Sequence, residues 1–194
     1  PGFLDTLPRR EVRSGFAEIV KHSLIADSRQ WDQLREIVGI DRHDWPSVIE
    51  DSLRVKYDIV IRDPFEKSIR KALNFGHTIG HAVESRSLDT DRPLLHGEAI
   101  GIGMICESYL SSKKKGLSED HLHQITQYLL HHYGHYELKS GSESELIALM
   151  KNDKKNVGDA ISFSLISEPG TVHVDEFCEE ELIRESLTYY REMV

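Results

Sequence analysis

Residues 70–84 read RKALNFGHTIGHAVE, and how that stretch folds decides the reading of the whole chain. Arg70, Asn74, His77 and His81 fall at i, i+4, i+7 and i+11, and Glu84 continues the series. On a helix of 3.6 residues per turn all five share one face. That face carries no Lys, unlike an ordinary solvated surface. Leu73, Ile79, Ala82 and Val83 supply apolar surface elsewhere on the same helix. Gly76 and Gly80 each weaken a helix by about 1 kcal/mol relative to Ala. Close approach of another backbone, or a bound ligand, would offset that cost.

His77 and His81, four residues apart, can aim two imidazoles at one point, as metal-binding helices do. No Glu follows His77, so this is not the HExxH metalloprotease pattern. The spacing alone fits two hydrogen-bonded or exposed histidines just as well. Arg70 and Asn74 on the same stripe turn the balance. Arg grips phosphate or carboxylate as a fork and Asn orients hydroxyls. The set suits a polyhydroxylated, phosphorylated small molecule held near a metal.

Outward from this stretch the chain reads as helices. One is expected from Arg10 to Ala26, with Glu18 and Lys21 as i, i+3 neighbours; by itself that pair is a surface ion pair worth a few tenths of a kcal/mol. Ser28 is the expected N-cap of a short helix to Val38. A long helix from Asp44–Pro46 to Ile61 carries Lys56 and stops before Asp63-Pro64. Ser85 to Pro93 reads as a polar loop. His96-Gly-Glu opens a helix that is apolar nearly all round and ends at the basic run Lys113–Gly116, which places it at the centre of a bundle. A lone His96 there is otherwise a capping residue. Ser118 caps a helix to Tyr133, and His121, His123, His131, His132 and His135 read as surface residues. Ser142 and Glu145 form a capping-box pattern ahead of a helix to Asn152. Ala160–Ser167 and Thr171–Phe177 alternate around Glu168-Pro-Gly as one β-hairpin, and Glu179–Val194 is a final helix. The fold class is therefore mainly α: a multi-helix bundle with one small hairpin, a single helical domain over residues 1–194.

The 194 residues carry a net charge of −9, which argues against non-specific nucleic-acid binding. No apolar run approaches a membrane span, and no signal-peptide pattern opens the chain. Cys106 and Cys178 stand far apart and form no metal or redox motif, which fits a reducing cytoplasm. The chain opens on Pro1 without a Met and reads as a fragment of something longer.

FLDTLPRRE, SGFAEIVKH, the spacing Asp63-Pro64-x-Glu66-x-x-x-Arg70, RKALNFGHTIGHAVE, LLHGEAIGIGM and DKKN occur in this order. Together they resemble the C-terminal half of the 3-dehydroquinate synthases, within the sugar-phosphate cyclases, over essentially the whole chain. The resemblance implies Glu18, His77 and His96 as ligands of Zn²⁺ or Co²⁺, which turns Glu18 and Lys21 from a surface pair into a site. It implies Lys21, Lys56, Arg70, Asn74 and His81 as substrate contacts, with one of Lys154 and Lys155, and Glu66 and His81 as proton-transfer groups. Phe3, Thr6 and Leu7 match a segment that touches a nicotinamide cofactor. For an intact enzyme it implies conversion of 3-deoxy-D-arabino-heptulosonate 7-phosphate to 3-dehydroquinate and phosphate in the shikimate pathway of aromatic amino acid biosynthesis, with catalytic NAD⁺, in a cytoplasmic homodimer. The family's NAD-holding α/β domain has no counterpart here, since no Gly-rich loop or βα alternation is present. The chain alone is then expected to be inactive.

Ser14 stands at a substrate-contact position where many relatives have Asn, and Ser68 where many have Gly. Asn74 favours dehydroquinate synthases over aminoglycoside-type cyclases, which carry Glu there; His81 favours them over valiolone-type relatives, which lose that His. Three other readings stay open: another sugar-phosphate cyclase, a metal-dependent polyol dehydrogenase, disfavoured by the cationic side chains, and a non-catalytic metal-binding helical module.

Overall fold

The computed structural model describes residues 6–37, 39, 45–152 and 161–193. Helices α1 (Arg9–Ala26), α2 (Ser28–Arg35) and α3 (Trp45–Arg62) are followed by a 3-10 segment (Ile69–Asn74). Then come α4 (His77–Ser87), α5 (His96–Lys115), α6 (Glu119–Tyr133) and α7 (Glu143–Lys151), the hairpin β1 (Ile161–Glu168) and β2 (Thr171–Cys178), and α8 (Glu180–Arg191). The mainly helical bundle with one hairpin is as the sequence implies.

Helix α5 is the axis. Ile100, Met104, Cys106 and Leu110 on it are wholly buried, and α1, α4, α6, α8 and β1 all pack against it. A helix apolar on every side has nowhere else to go. Its start is fixed by the sequence Leu95-His96-Gly97-Glu98. Glu98 accepts the Leu95 N–H at 2.8 Å and takes a two-pronged grip from Arg10 on α1, at 2.9 and 2.6 Å. A Cβ on Gly97 would lie 2.0 Å from the Ser14 carbonyl oxygen, so only Gly lets α1 cross here.

The stretch 70–84 is not one helix. It is a 3-10 segment, a break and then α4. Gly76 sits at φ +80° and ψ −10°, a left-handed conformation that glycine adopts readily. The break lets the chain press onto α5: a Cβ on Gly103 would lie 1.9 Å from the Gly76 carbonyl oxygen, and one on Gly80 would lie 3.1 Å from the Ala99 carbonyl oxygen. The two glycines thus answer to backbone contact.

Five smaller expectations are corrected. Asp27, not Ser28, caps α2, accepting the Arg29 and Gln30 N–H groups at 3.0 and 3.2 Å. Helix α4 runs to Ser87, into the expected loop. Ser142 donates to the Lys139 carbonyl instead of closing a capping box. His132 is buried against the rings of Phe16 and Tyr128, because α6 turns that face toward α1. The expected start of α3 at Asp44 lies outside the described residues, and α2 stops at Arg35, short of the expected Val38.

The antiparallel hairpin pairs Ile161 with Cys178 and Glu168 with Thr171, with an irregularity between Phe163 and Leu165. There Asp175 takes φ +57° and its carboxylate meets Lys71 Nζ at 2.7 and 2.8 Å. The bulge ties the hairpin to the 3-10 segment. Among the described residues no helix is long and apolar enough to cross a membrane.

Candidate functional site

Three imidazoles meet where α4 faces the start of α5. One ring nitrogen from each of His77, His81 and His96 lies within 4.8 Å of the others. His77 and His81 come together because α4, despite the break before it, still keeps residues four apart on one face. His96 arrives from the first position of α5. Glu18, from the middle of α1, brings Oε1 to 3.6 Å from His77 Nε2.

The proton positions follow from the neighbours. His77 Nδ1 lies 3.2 Å from the Phe75 carbonyl oxygen, which can only accept, so Nδ1 carries the hydrogen and the Nε2 lone pair faces Glu18. Burial, then the charge of Lys21, pushes His77 down to about 3, so the ring is neutral near pH 7. Burial opposes ionisation of Glu18, but the Lys21 ammonium, 2.7 Å from Oε2, outweighs it and holds the carboxyl below its ordinary range. Glu18 Oε1 is buried and has no hydrogen-bond partner. An ionised oxygen and an imidazole lone pair therefore face each other with no proton between them. A cation between them would satisfy both, and one carboxylate with neutral imidazoles is a donor set that suits zinc. His96 Nδ1 meets Glu84 Oε2 at 3.1 Å, a carboxylate–histidine pairing of the kind that orients metal-binding rings and that would leave Nε2 to ligate.

Beside this cluster a cavity of about 240 Å³ is lined by Glu18, Lys21, Lys56, Glu66, Arg70, Asn74 and His77, together with His22 and Leu73. Lys21 is only 2% exposed, so its pairing with Glu18 is no surface ion pair. The Arg70 guanidinium donates to the Pro64 carbonyl at 2.8 Å, and Asn74 Nδ2 donates to Glu66 Oε1 at 2.9 Å. Glu66 takes φ +55°, an uncommon conformation for a side chain that is not Gly. Asp63 makes it possible: its carboxylate accepts the N–H groups of Lys67, Ser68 and Arg70 and the Ser68 hydroxyl. The Lys67 amide foremost, with the others, pulls the Asp63 carboxyl down to about 2. Ser68 thus contributes a hydrogen bond to the turn that presents Glu66 and Arg70. A second cavity of about 340 Å³, toward the hairpin, shares Glu66 and Asn74.

The model of the 3-dehydroquinate synthase C-terminal domain matches residues 15–156. The chain belongs to this family. It is 41% identical over 193 residues to a 3-dehydroquinate synthase of Parabacteroides distasonis, covering 98% of this chain and 54% of that protein. It is 37% identical to one of Geobacillus thermodenitrificans over 187 residues, 93% of this chain and 50% of that protein. The chain spans about half the length of these curated relatives. Among solved structures it superposes on a 2-epi-5-epi-valiolone synthase from Streptomyces hygroscopicus, solved with NAD⁺ and Zn²⁺, with a TM-score of 0.85 at 22% identity over 100% of this chain and 55% of that one. A 2-deoxy-scyllo-inosose synthase complexed with carbaglucose-6-phosphate, NAD⁺ and Co²⁺ gives 0.76 at 22% identity over 96% and 52%. At such identity these two likenesses speak for the fold.

Within this dehydroquinate synthase C-terminal domain the other expected site residues fall in three places. His81 lines a cavity beyond the imidazole cluster with Thr78 and Glu84. Ser14 Oγ accepts the Gly97 N–H at 3.0 Å, so it serves the start of α5. Leu7 is 45% exposed and borders an apolar depression that shares Glu18, His22 and Lys56 with the polar cavity; Thr6 precedes it. Phe3, Lys154 and Lys155 lie outside the described residues. Sequence reasoning missed His22, whose Nδ1 meets Ser52 Oγ at 2.7 Å and whose buried Nε2 has no hydrogen-bond partner, 3.9 Å from Glu18 Oε2. It also read Asp63 only as a helix stop. The clue to His22 was its position four residues after Glu18, on the same face of α1.

Proposed function

We propose that this chain is the metal- and substrate-binding half of a 3-dehydroquinate synthase, a lyase that converts 3-deoxy-D-arabino-heptulosonate 7-phosphate to 3-dehydroquinate and phosphate. The observation that carries this reading is the unpartnered Glu18 Oε1 facing the His77 Nε2 lone pair, at the rim of a cavity lined by Lys21, Lys56 and Arg70. Glu18, His77 and His96 would hold Zn²⁺ or Co²⁺ and leave positions open for substrate oxygens. Once bound, the metal and NAD⁺ supply acidification of a ring hydroxyl and reversible hydride acceptance. Lys21, Lys56 and Arg70 hold the anionic ends of the substrate, with one of Lys154 and Lys155 as a further contact. Asn74 orients a hydroxyl while keeping Glu66 in place, and Ser14 keeps the metal-side end of α5 against α1. Glu66 Oε and the His81 ring move protons to and from the substrate. Phe3, Thr6 and Leu7 border the nicotinamide, with NAD⁺ held chiefly by a cofactor domain. The working enzyme in this reading is a cytoplasmic homodimer.

The test is calorimetric titration with Zn²⁺ of the chain and of His77→Ala. The expected result is binding that falls more than about 100-fold on substitution, since a ligand is lost outright and even outer-shell partners account for 10–100-fold. Equal affinity in both proteins would sink the placement of the metal. Turnover belongs to the protein joined to a cofactor domain; dehydroquinate formation by this chain with NAD⁺ alone would overturn the division of labour. A panel of sugar phosphates on the joined enzyme tests the substrate, with Asn74 and His81 as the residues that favour the heptulosonate.

A further inference from the structure

Helix α4 has no cap of its own. The residue before it is Gly76, which has no side chain to accept the first N–H groups. Those groups are met from across the core by Glu107, one turn after Gly103 on the same face of α5. Gly76 N–H donates to Glu107 Oε2 at 2.7 Å and Ile79 N–H to Oε1 at 3.2 Å. Glu107 is wholly buried. Burial pushes its carboxyl up to about 8, even though the amides of Gly76, Ile79 and Thr78 pull the other way. Each oxygen accepts one backbone N–H, so the carboxyl group holds the turn at two points. A buried carboxylate is a costly way to cap a helix; the Ser118 hydroxyl caps α6 from the surface. What separates α4 from α6 is that its first residue, His77, and its fifth, His81, both face the candidate metal centre.

We propose that Glu107 is a positioning residue for the metal centre: by clamping the first turn of α4 it sets the direction in which His77 and His81 present their ring nitrogens. The inference rests on the metal reading given above. Glu107→Gln keeps the volume but turns an N–H₂ toward one of the two backbone N–H groups, so the clamp must twist. The experiment compares the full chain with Glu107→Gln, His77→Ala and Leu187→Ala, a core truncation on α8, which carries none of the site residues. Zn²⁺ affinity is measured by calorimetry, and Co²⁺ substitution is followed through visible absorption bands that report coordination geometry. Folding is checked by circular dichroism. Glu107→Gln is expected to bind metal 10–100-fold more weakly, with altered Co²⁺ bands and retained helicity. Leu187→Ala should lose thermal stability while keeping wild-type affinity and bands. Should Glu107→Gln fail to fold, Glu107→Asp keeps the carboxyl group on an arm one methylene shorter and should still weaken binding and alter the bands. Wild-type affinity and bands in the folded Glu107 variant would overturn the proposal, as would an equal loss in Leu187→Ala. If His77→Ala loses metal and Glu107→Gln does not, only the role of Glu107 falls. If the unaltered chain takes up no metal, the metal reading falls with it.

Discussion

Helix α4 meets its two neighbourhoods under opposite conditions. Toward α5 the approach is close, with Gly103 meeting the Gly76 backbone and with Gly76 and Gly80 leaving room for the Met104 and Ile100 side chains and the facing backbone. The polar groups in that contact, the first amides of α4, are met by Glu107. Toward α1 and α3 the helix faces a cavity whose walls carry two buried polar atoms with no hydrogen-bond partner, Glu18 Oε1 and His22 Nε2. A folded chain seldom leaves buried polar atoms unmet, because each costs about 1–3 kcal/mol. The close side sets where the histidines stand. The open side gives up stability that a bound cation and an anionic ligand would restore. A single helix thus divides the molecule into a part selected for position and a part selected for binding.

The sharpest way to break this division is to spoil the close side. Gly103→Ala puts a methyl group 1.9 Å from the Gly76 carbonyl oxygen, a distance no side-chain rotation relieves. The loss should be upward of about 3 kcal/mol, against a gain of about 1 kcal/mol in helix propensity. Urea unfolding measures it, and a change under about 0.5 kcal/mol would mean that the two helices do not meet as described.

On the open side, Lys21→Met removes an ammonium from a buried pair and leaves the Glu18 carboxylate without its one strong partner. The metal-free chain should lose about 2–3 kcal/mol, less than a fully buried pair would, because the Glu18 side chain is 32% exposed. Saturating Zn²⁺ should then stabilise this variant more than it stabilises the unaltered chain, as a cation replaces a cation. Equal stabilisation of both would show that metal and ammonium do not share Glu18.

The open side should also set the acid limit of the fold. His22 is pushed down to about 4 by burial and then by Lys21, and His77 to about 3 by the same two causes. Both stay neutral in the folded chain while the unfolded chain takes up protons near pH 6.5. Stability is therefore fully present above about pH 6.5 and is lost as pH falls from there toward 4. A loss on the order of 2 kcal/mol for each ring between pH 7 and 4.5 is expected in the metal-free chain, and His22→Gln should roughly halve the total. A flat thermal-melting profile over that range would contradict the burial of these rings.

What was legible in the sequence follows the same division. The bundle, the central α5 and the hairpin could be read because apolar periodicity, Gly stops and strand alternation are local signals. The grouping of Glu18 with His77 and His96 comes from the resemblance: the structure brings Glu18 to His77, and His96 to His77 and His81, from separate helices whose approach no sequence spacing records. The stripe 70–84 reads as one helix because its polar residues keep helical spacing and close packing can offset the roughly 1 kcal/mol that Gly76 costs. Only the approach of α5 shows that a left-handed residue is required at that point. Glu107 was invisible for a related reason: a charged residue inside an apolar run looks like an interruption until the amides it serves, some 28 to 31 residues earlier in the chain, fold onto it. Asp63 and His22 failed to stand out because each has a commonplace explanation, a helix stop and a surface histidine.

The mildest prediction tests where the two sides join. Ser14 and Gly97 meet at the crossing of α1 and α5: the Ser14 carbonyl excludes any side chain at 97, and the Ser14 hydroxyl accepts the Gly97 N–H at 3.0 Å. The next residue back is His96, whose ring is already held by Glu84 at 3.1 Å. Ser14→Ala removes one acceptor from the first turn of α5, a loss of about 1 kcal/mol by analogy with an N-cap deletion. Because Glu98 still holds the Leu95 N–H and the Arg10 side chain, α5 should keep its start, and metal affinity should fall by no more than about threefold. Ser14→Asn, the residue many relatives carry, offers another acceptor at the same place and should recover most of the stability. If Ser14→Ala instead loses metal as badly as Glu107→Gln is expected to, then the direction of His96 depends on this one hydroxyl. The start of α5 would then have to be counted with the open, binding side of the molecule.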